Sequence, residues 1–468
     1  MARLTVLDLR RNNFTGRLPP LCAQSTSLST IILNSNQFEG PVPASLLNCT
    51  GLEVLDLGTN AINDTFPAWL GTLQELQVLS LYSVNVSSPI PMNLSSSLRY
   101  VDLESTNLQG ILTNSFFDLP NLEILNLGYN GISGELPDSI GTLKSLNYLY
   151  LFQCAFSGSI PDSIGNLTQI RQLDFSKNNF TSHNPSTISK LKMLTQLVEL
   201  DLSNNSFIGP LPSLILSLTR LQRLDLPSNS LSGPLSSNTS MLQKLTFVDL
   251  SYNSLNGTIP SWVFRLPLLS WLSLDHNQLS GLVDELKANT TLEYLDLRHN
   301  QFSGPVLRSL GNLVNLVTLD LSSNNISSDA TYNNFITINY IYLDLKFNFL
   351  QGPVPSSICN MSSLTFLDLS HNYFSDSVPH CLGSMVELSV LDLRGNNFTG
   401  SLPPLCAHST SLSTIVLNGN GFEGPVPVSL LNCHGLEVLD IGNNAINHTF
   451  PAWLGTLEEL QVLILKSN

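Results

Sequence analysis

The stretch LSVLDLRGNNFTGSLPPLC (388–406) decides the fold, because its hydrophobic pattern returns about every 24 residues along the chain. The shared pattern is LxxLxLxxNxFxGxVPxSLxxL. About twenty copies open at residues 4, 28, 52, 76, 98, 122, 146, 170, 197, 221, 245, 269, 292, 316, 340, 364, 388, 412, 436 and 460. Self-similarity at such a period is typical of a solenoid, in which each coil buries its apolar face against the next.

Each copy begins as a short strand. Leu391 and Leu393 are two residues apart, so in a strand they point to the same side, which we predict to be the core. Val390, Asp392 and Arg394 alternate with them, and we predict that they face outward.

The second half of the copy returns the chain to the next strand. Asn396 follows the strand at a turn, where a buried amide can satisfy unpaired backbone groups and stack on the same residue of the next coil. We call this repeated position the ladder asparagine. Phe398 is predicted to close the core, Gly400 to permit a tight bend, and Leu405 to pack the opposite side.

These features predict one elongated domain over residues 1–468, made of about twenty 24-residue repeats. The predicted fold is an α/β repeat that forms a curved, twisted superhelix. A parallel β-sheet is expected on its concave face, and loops with short 3-10 turns on its convex face. The step from 76 to 98 is short and the step from 170 to 197 is long, so the coils are irregular there.

The composition excludes two classes of function. The net charge is −15, and no cluster of Lys and Arg occurs, which argues against nucleic acid as a partner. The chain also lacks an apolar run of about 18 residues, so no membrane-spanning segment is predicted.

Much of the acidity comes from one repeated position, between the two core leucines of the strand. This Asp column has two interpretations: a site for a cation or a basic partner, or a repeat feature whose carboxylates hydrogen-bond neighbouring strand residues. We favour the second, because the column runs almost the full length of the chain. Its members are Asp8, Asp56, Asp102, Asp174, Asp201, Asp225, Asp249, Asp296, Asp320, Asp344, Asp368, Asp392 and Asp440.

The seven cysteines show no metal-binding spacing, and no metal or cofactor is predicted. Cys154 replaces a ladder asparagine. Cys49 and Cys433 lie in the same LLNC context, and we expect them to be small buried side chains. Cys359, Cys381 and Cys406 occupy similar points of three successive coils, so one neighbouring pair can form a disulfide if the geometry allows it. The remaining cysteine is Cys22.

Asparagine glycosylation motifs exceed the number expected by chance, which favours a secreted, glycosylated surface. They lie at Asn13, Asn48, Asn63, Asn85, Asn93, Asn166, Asn179, Asn204, Asn238, Asn256, Asn289, Asn325, Asn360, Asn397 and Asn447.

The GxVP or GxIP step after the ladder asparagine, as in Gly40-Pro41-Val42-Pro43, resembles the plant-specific leucine-rich repeat over essentially the whole chain. The stretch ICNMSSLTFLDLSHN (358–372) and the block LLNCHGLEVLDIGNNAINHTFPAWLGTLEELQVL (430–463) closely resemble the ectodomains of plant receptor-like proteins, which are cell-surface receptors without a kinase. The resemblance implies a location on the extracellular face of the plasma membrane and a peptide, protein or glycan ligand in defence or developmental signalling. It also implies a co-receptor kinase as partner.

The chain enters a strand directly after Met1 and stops at Asn468, on the ladder position of an unfinished repeat. We therefore expect an internal piece of a receptor ectodomain or a truncated gene product, without signal peptide, transmembrane helix or caps. Residues 4–83 and 388–467 match at about four positions in five, which indicates a block duplication or a fusion of neighbouring receptor genes.

No catalytic motif is present: the chain contains no GxSxG, no HExxH and no Gly-rich phosphate loop, so an enzyme is not predicted. His276, His299 and His371 precede ladder asparagines and are predicted to be exposed strand-end residues. The alternatives to a receptor module are an inhibitor of a secreted cell-wall-degrading enzyme, similar to the plant polygalacturonase inhibitors, and a non-functional receptor gene fragment.

Two groups of outward strand residues depart from the usual Ser, Asp, Arg and Asn. Aromatic and Arg side chains dominate binding hot spots, so both groups are candidate ligand-binding sites. The competing interpretation is that strands favour Tyr and that breaks in the asparagine ladder are neutral. The first cluster is Tyr82, Tyr100, Tyr129, Tyr148, Tyr150 and Phe152, where the ladder is broken at Val84, Thr106 and Cys154. The second cluster is Trp271, Tyr294 and Arg298, with Asp275, His276 and His299 beside them.

Overall fold

The computed structural model describes residues 3–22, 27–90, 94–181, 188–211, 217–236, 242–281, 291–304, 313–327, 340–406, 411–447 and 449–468. The chain divides into two compact units, the first comprising residues 1–232 with 238–245, and the second residues 233–237 with 246–468. Both units are built from the same coil. That all repeats form a single domain stays a prediction.

Every coil contributes one three-residue strand to a parallel sheet, which we call the main sheet. In the first unit the described strands are Val6–Asp8, Thr30–Ile32, Val54–Asp56, Val78–Ser80, Tyr100–Asp102, Ile124–Asn126, Tyr148–Tyr150, Gln172–Asp174, Glu199–Asp201 and Arg223–Asp225. In the second unit they are Phe247–Asp249, Trp271–Ser273, Tyr294–Asp296, Thr318–Asp320, Tyr342–Asp344, Phe366–Asp368, Val390–Asp392, Thr414–Val416, Val438–Asp440 and Val462–Ile464.

The register places equivalent residues of successive coils side by side. Leu391 lies between Leu367 and Ile415, and all three strands run parallel. Leu391 and Leu393 are fully buried, as the alternation predicts. The apolar faces of neighbouring coils therefore cover one another, which confirms the stacked parallel arrangement predicted from the repeat.

The ladder asparagines tie each turn to the preceding coil. The amide nitrogen of Asn396 donates to the carbonyl oxygens of Leu369 (3.0 Å), Leu393 (3.1 Å) and Arg394 (3.2 Å). Its amide oxygen accepts the backbone N–H of Phe374 at 3.0 Å. The buried Asn396 side chain thus hydrogen-bonds four backbone groups, from two coils, that are not paired within a β-sheet. This confirms the predicted role of the ladder asparagine in the turn.

A second set of short strands follows the turn in most coils. Phe398 is fully buried there, and Gly400 adopts a φ of 83°, which a side chain with a β-carbon disfavours. These strands were not predicted. They are Thr15–Arg17, Gln37–Gly40, Ala61–Asp64, Asn85–Val86, Gln109–Ile111, Gly131–Glu135, Ala155–Ser159, Asn179–Thr181, Ile208–Gly209, Ser230–Pro234, Ser254–Gly257, Gln278–Gly281, Gln301–Phe302, Gln351–Pro353, Tyr373–Asp376, Asn397–Ser401, Gly421–Gly424 and Ala445–Ile446.

Short 3-10 turns close many coils, and the part of the chain that the structure describes contains no α-helix. Proline precedes most of these turns: Pro43, for example, stands before Ala44–Asn48, whose Leu46 is fully buried. The turns are Ala44–Asn48, Ala68–Thr72, Asn114–Phe117, Asp138–Thr142, Asp162–Asn166, Ile188–Met193, Val263–Arg265, Ser356–Asn360, His380–Ser384, Val428–Asn432 and Ala452–Thr456.

Three disulfides link neighbouring coils. Cys359 bonds to Cys381 (Cα–Cα 5.9 Å), one of the pairs left open by the sequence. Cys49 and Cys433 are buried as predicted but are not free thiols. Cys49 bonds to Cys22 and Cys433 bonds to Cys406, with Cα–Cα distances of 5.5 and 5.4 Å. In each of these two pairs the PPLC and LLNC segments lie in adjacent stacked coils, so residues 27 positions apart meet.

The Asp column does not simply face outward. Asp392 is 4% exposed and Asp344 is fully buried, whereas Asp56 in the first unit is half-buried. The carboxylate of Asp392 accepts the backbone N–H of Arg394, two residues on, and the Arg394 side chain covers it. The same local bond recurs at Asp56 with the N–H of Gly58. The favoured interpretation, that the column is a hydrogen-bonding feature of the repeat, is therefore confirmed at these positions.

Candidate functional site

The outward face of the main sheet presents three rows of side chains. The first row holds the residue that opens each main strand, such as Tyr148. The second row holds the residue two positions later, Tyr150, and the third row the next alternate residue, Phe152. Because the sheet is parallel and in register, each row runs across successive coils.

The structure brings most of the first cluster together. The rings of Tyr148 and Tyr150 lie 6.4 Å apart, and the ring of Tyr129 meets Phe152 edge-on at 5.2 Å. Tyr100 lies one strand beyond Ile124, which separates it from Tyr148.

Tyr82 is more isolated than its companions. It is 41% exposed, and no ring contact with the rest of the cluster is found among the described residues. The first cluster therefore consists of two ring pairs, Tyr148 with Tyr150 and Tyr129 with Phe152, and of Tyr82 and Tyr100 at its border.

The tyrosine hydroxyls of this cluster are held by polar neighbours. Tyr150 donates its hydroxyl to Gln172, and Tyr100 donates to Asp102 at 3.2 Å. Burial, assisted by the charge of Glu199, raises the pKa of Tyr150 to about 12. Burial also raises the pKa of Tyr100, with Asp102 adding to the effect. Both phenols remain protonated hydrogen-bond donors at neutral pH.

Three residues replace the ladder asparagine beneath this cluster. Two of them still donate a hydrogen bond to a backbone carbonyl, and the third is buried. The hydroxyl of Thr106 donates to Leu103 O at 2.7 Å, and the thiol of Cys154 donates to Leu127 O at 3.3 Å. Val84 is fully buried. Burial raises the pKa of Cys154 to about 11, so this free thiol stays neutral. The breaks are local adjustments of the core beneath the face.

The second cluster is an aromatic stack. The rings of Trp271 and Tyr294 are parallel within 3° and their centroids lie 3.5 Å apart. Phe247 continues the stack on the other side of Trp271, at 5.6 Å. Trp271 is 36% exposed, so one edge of the stack is open to a partner.

Arg298 lies at the centre of three carboxylates from three successive coils. Its guanidinium nitrogens are 3.7 Å from Asp275, 3.5 Å from Asp296 and 3.7 Å from Asp320. Burial raises the pKa of Asp296 to about 7, and the charges of Asp320 and Asp275 add to the shift. One cation shared by three acids at these distances leaves negative charge uncompensated.

The histidines beside this cluster form a stack of their own. His276 is half-buried, lies 4.1 Å from the ring of Tyr252 and 4.2 Å from that of His299, and contacts Asp275 at 2.7 Å. The prediction of an exposed strand-end residue is therefore wrong for His276, because neighbouring rings cover it. His299 and His371 are exposed as predicted.

Three aromatic residues of the first row were not predicted. Phe247, Tyr342 and Phe366 share the strand-opening position with Trp271 and Tyr294, and the rings of Tyr342 and Phe366 stack at 4.3 Å. Aligning the copies by this position would have revealed the row, since five of the six strands from Phe247 to Phe366 open on an aromatic residue.

Most predicted glycosylation sites lie away from the outward rows, but Asn204 stands just before the ladder asparagine Asn205, as Tyr129 stands before Asn130. Asn93, Asn238 and Asn289 lie outside the described residues. The other twelve asparagines are all exposed, and none belongs to a strand of the main sheet. Glycans at these sites would therefore start outside the strands whose outward rows carry the aromatic side chains.

Two properties of the described residues limit the chemistry of this chain. No described helix is long and apolar enough to cross a membrane. Within the same residues, no group of three or more His, Cys, Asp or Glu side chains is arranged to hold a metal ion.

Known proteins share both the repeat and the fold. A family model described as a leucine-rich repeat region matches residues 92–280, and a leucine-rich repeat model matches 341–398 and 410–468. Receptor-like protein 9DC1 of Solanum pimpinellifolium is 47% identical over 49 residues, which make up 10% of this chain and only 6% of that relative.

Two solved structures of a plant receptor are similar over nearly the whole chain. The leucine-rich-repeat ectodomain of the Arabidopsis receptor kinase HAESA, in complex with an N-terminally extended IDA peptide hormone, superposes with a TM-score of 0.86 at 30% identity. The match covers 99% of this chain and 78% of that one. HAESA with IDA and the co-receptor SERK1 gives a TM-score of 0.80 at 28% identity, covering 99% and 83%. The chain belongs to the leucine-rich-repeat family, in the group of plant receptor-like proteins and receptor ectodomains.

Proposed function

We propose that this chain is the ligand-binding extracellular module of a plant cell-surface receptor-like protein. Its ligand is a peptide or protein segment that lies along the outward face of the main sheet. The observation that carries the proposal is the concentration of aromatic side chains in the outward rows, where the repeat otherwise carries small or polar residues. The nine candidate contacts are Tyr82, Tyr100, Tyr129, Tyr148, Tyr150, Phe152, Trp271, Tyr294 and Arg298.

Aromatic side chains on a rigid sheet suit recognition. They bury a large area on binding and lose few rotatable bonds, and their hydroxyl or indole groups supply directional hydrogen bonds. In the first cluster Tyr148, Tyr150 and Phe152 come from one strand and its extension, so their rings follow one another along the outward face.

Two further observations support a peptide ligand. The described glycosylation motifs other than Asn204 lie away from the outward rows, which leaves most of this face to an extended ligand. The similar HAESA ectodomain has been solved with a peptide hormone and with a co-receptor. By analogy we propose a co-receptor kinase as partner, a glycosylated chain at the plasma membrane, and a role in defence or developmental signalling.

The experiment uses a phage-displayed library of random 12-residue peptides as probe, selected on the complete chain secreted from plant or insect cells. Affinities of the selected peptides are then measured for Tyr150→Ala, Phe152→Ala and Trp271→Ala. Truncating a central aromatic contact typically costs about 2 kcal/mol or more, so at least one of these variants should bind at least about thirtyfold more weakly.

Tyr373→Ala is the control, because Tyr373 is an exposed aromatic residue (51%) in a strand outside the main sheet. Its affinity should equal that of the unmodified chain. Enriched peptides that bind all three face variants at full strength, with folding verified by circular dichroism, would place the site elsewhere.

A further inference from the structure

The first row of the second unit contains a gap. Its rings come as two stacks, one ending at Tyr294 and the other beginning at Tyr342, and the strand between them opens on Thr318. Both tyrosines lean toward the second row, with hydroxyls 3.4 Å from Asp296 and 3.5 Å from Asp344. The short side chain of Thr318 therefore leaves a slot with two aromatic walls.

The width of this slot follows from the sheet. Neighbouring strands lie about 4.8 Å apart, so the two tyrosines stand roughly 9–10 Å from each other. An atom midway between them is about 5 Å from either ring. This distance suits a cation held by the faces of both rings, for which the useful range extends to about 6 Å.

The inner end of the slot is the carboxylate of Asp320, which has one hydrogen-bonded oxygen and one oxygen in a long ion pair. The side chain of Asp320 is 6% exposed, and its Oδ1 accepts the backbone N–H of Ser322 at 2.9 Å. Its Oδ2 accepts no hydrogen bond from the described residues, and its nearest cation is Arg298 Nη1 at 3.7 Å. This carboxylate is more than nine-tenths buried beside two rings, and its one ion pair among the described residues, with Arg298, is long and shared with Asp275 and Asp296.

The charges around the slot also favour a positively charged ligand. Around the slot stand the carboxylates of Asp275, Asp296, Asp320, Asp344 and Asp368, and they share the cations of Arg298 and Lys346. With every group ionised, five negative and two positive charges leave a net charge of −3. Burial and the charge of Asp320 also raise the pKa values of Asp296 and Asp344 to about 7 and about 6.

We propose that the slot between Tyr294 and Tyr342 binds one arginine or lysine side chain of an extended peptide, with its charge on Asp320. This inference rests on the proposed function, since it names the chemistry of a ligand on the same face. Thr318, Asp320 and Tyr342 thereby become specificity-determining residues. Arg298 comes from the third row and lies 3.7 Å from Asp320 Oδ2, so the cation of the ligand would share this carboxylate with it.

The test uses a small probe that does not depend on any selected peptide. N-acetyl-arginine amide and its neutral isostere N-acetyl-citrulline amide are titrated against the complete chain by ligand-observed NMR at pH 7.5. The arginine probe should bind at least about tenfold more tightly than the citrulline probe.

Two variants test the two parts of the slot, each with a matched control in the same row. Asp320→Asn removes the charge but keeps the bond to Ser322. Asp440→Asn likewise removes a charge and keeps the bond to Gly442, at a column position flanked by Val416 and Ile464. Thr318→Tyr fills the gap, and Thr414→Tyr adds the same ring between Val390 and Val438. Both slot variants should weaken arginine binding about tenfold, whereas both controls should leave it unchanged.

Each outcome either supports or overturns the proposed cation slot. Equal binding of arginine and citrulline probes, undetectable arginine binding at tens of millimolar, or full binding by folded Thr318→Tyr overturns the slot. Selective arginine binding that both slot variants abolish supports it. If the arginine probe binds in this way but no library peptide is enriched on the chain, the proposed peptide recognition fails and the cation slot stands. Enriched peptides without a basic residue, bound fully by Asp320→Asn, overturn the slot alone.

Discussion

The ring of Phe152 lies directly over the backbone of Gly128, its neighbour in the third row of the main face. A β-carbon built on Gly128 would stand 2.5 Å from Cε1 of Phe152, closer than any non-bonded contact permits. The absence of a side chain at Gly128 therefore determines where the ring lies, and with it the edge-on contact between Phe152 and Tyr129.

Gly128→Ala should displace Phe152 and weaken ligand binding without unfolding the chain. We expect a loss of about 1–3 kcal/mol in stability from the forced rearrangement, together with a fall in affinity for the selected peptides close to that of Phe152→Ala. Thermal unfolding and peptide titration measure the two effects. Gly58→Ala is the control, since its β-carbon meets nothing closer than 3.2 Å. Full affinity in Gly128→Ala would remove Phe152 from the site.

The ladder asparagines should be costly to remove. Asn348→Ala deletes donors to the carbonyl oxygens of Leu321 and Leu345 and an acceptor for the N–H of Ile326, all in buried turns. We expect a destabilisation of about 3 kcal/mol or more, because the partners stay buried without hydrogen bonds.

Asn348→Thr should cost clearly less, because Thr106 shows that a hydroxyl at this position can still reach its own turn. Chemical denaturation gives the two free energies, and hydrogen exchange of the Ile326 amide reports the local loss. Equal stability of the alanine variant and the original chain would contradict the ladder's role.

The cysteine pattern predicts the result of disulfide mapping. Cys154 is the one free thiol of the seven cysteines, so alkylation of the denatured, unreduced chain should label that residue alone. Peptide mapping should recover three linked pairs. Replacing Cys406 and Cys433 by serine should lower stability by about 2–4 kcal/mol. Labelling of several cysteines in freshly purified protein would show that the links do not form.

Stability should depend on pH through Asp296. Its folded pKa of about 7 lies above the ordinary value of about 3.9, so the folded state holds a proton that the unfolded state has released between about pH 4 and 7. The stabilisation is present at low pH and is lost as the pH rises through 7. The groups that face this carboxyl are Asp275, Asp320, Arg298 and the Tyr294 hydroxyl.

Asp296→Asn keeps the acceptor for the backbone N–H of Arg298 but carries no charge. The free energy of unfolding of the variant, relative to the original chain, should rise by about 2–3 kcal/mol from pH 5 to pH 8. Denaturant unfolding at both pH values provides the measurement. A difference that does not change with pH would show that Asp296 titrates normally.

Much of the fold was predictable because the same local interactions recur in every coil. Leu391, Leu393, Asn396 and Phe398 behave as their spacing indicates, since strand alternation and the needs of a buried turn are local properties. The burial of Asp392 was not predictable at this level. It depends on the Arg394 side chain lying across the carboxylate, which alternation along one strand does not specify.

Other features require knowledge of the neighbouring coil. The bond between Cys22 and Cys49 joins segments 27 residues apart, and only the stacking of two coils brings them together. The stack of Tyr342 on Phe366 and the gap at Thr318 are likewise properties of a row across strands. Proximity along the chain indicates the first cluster but only part of the row in the second unit, because the row joins residues of successive coils.

Site-specific photo-crosslinking tests the central claim, that the ligand lies along the outward face of the main sheet, most directly. Benzoyl-phenylalanine is introduced at Tyr150, at Trp271 or, as control, at Tyr373, and each protein is irradiated with a labelled peptide selected on the unmodified chain. Mass spectrometry then identifies the linked residues. We expect a peptide adduct at Tyr150 or Trp271 that excess unlabelled peptide suppresses, and none at Tyr373. An adduct at Tyr373 alone, with both face positions unlabelled, would contradict it.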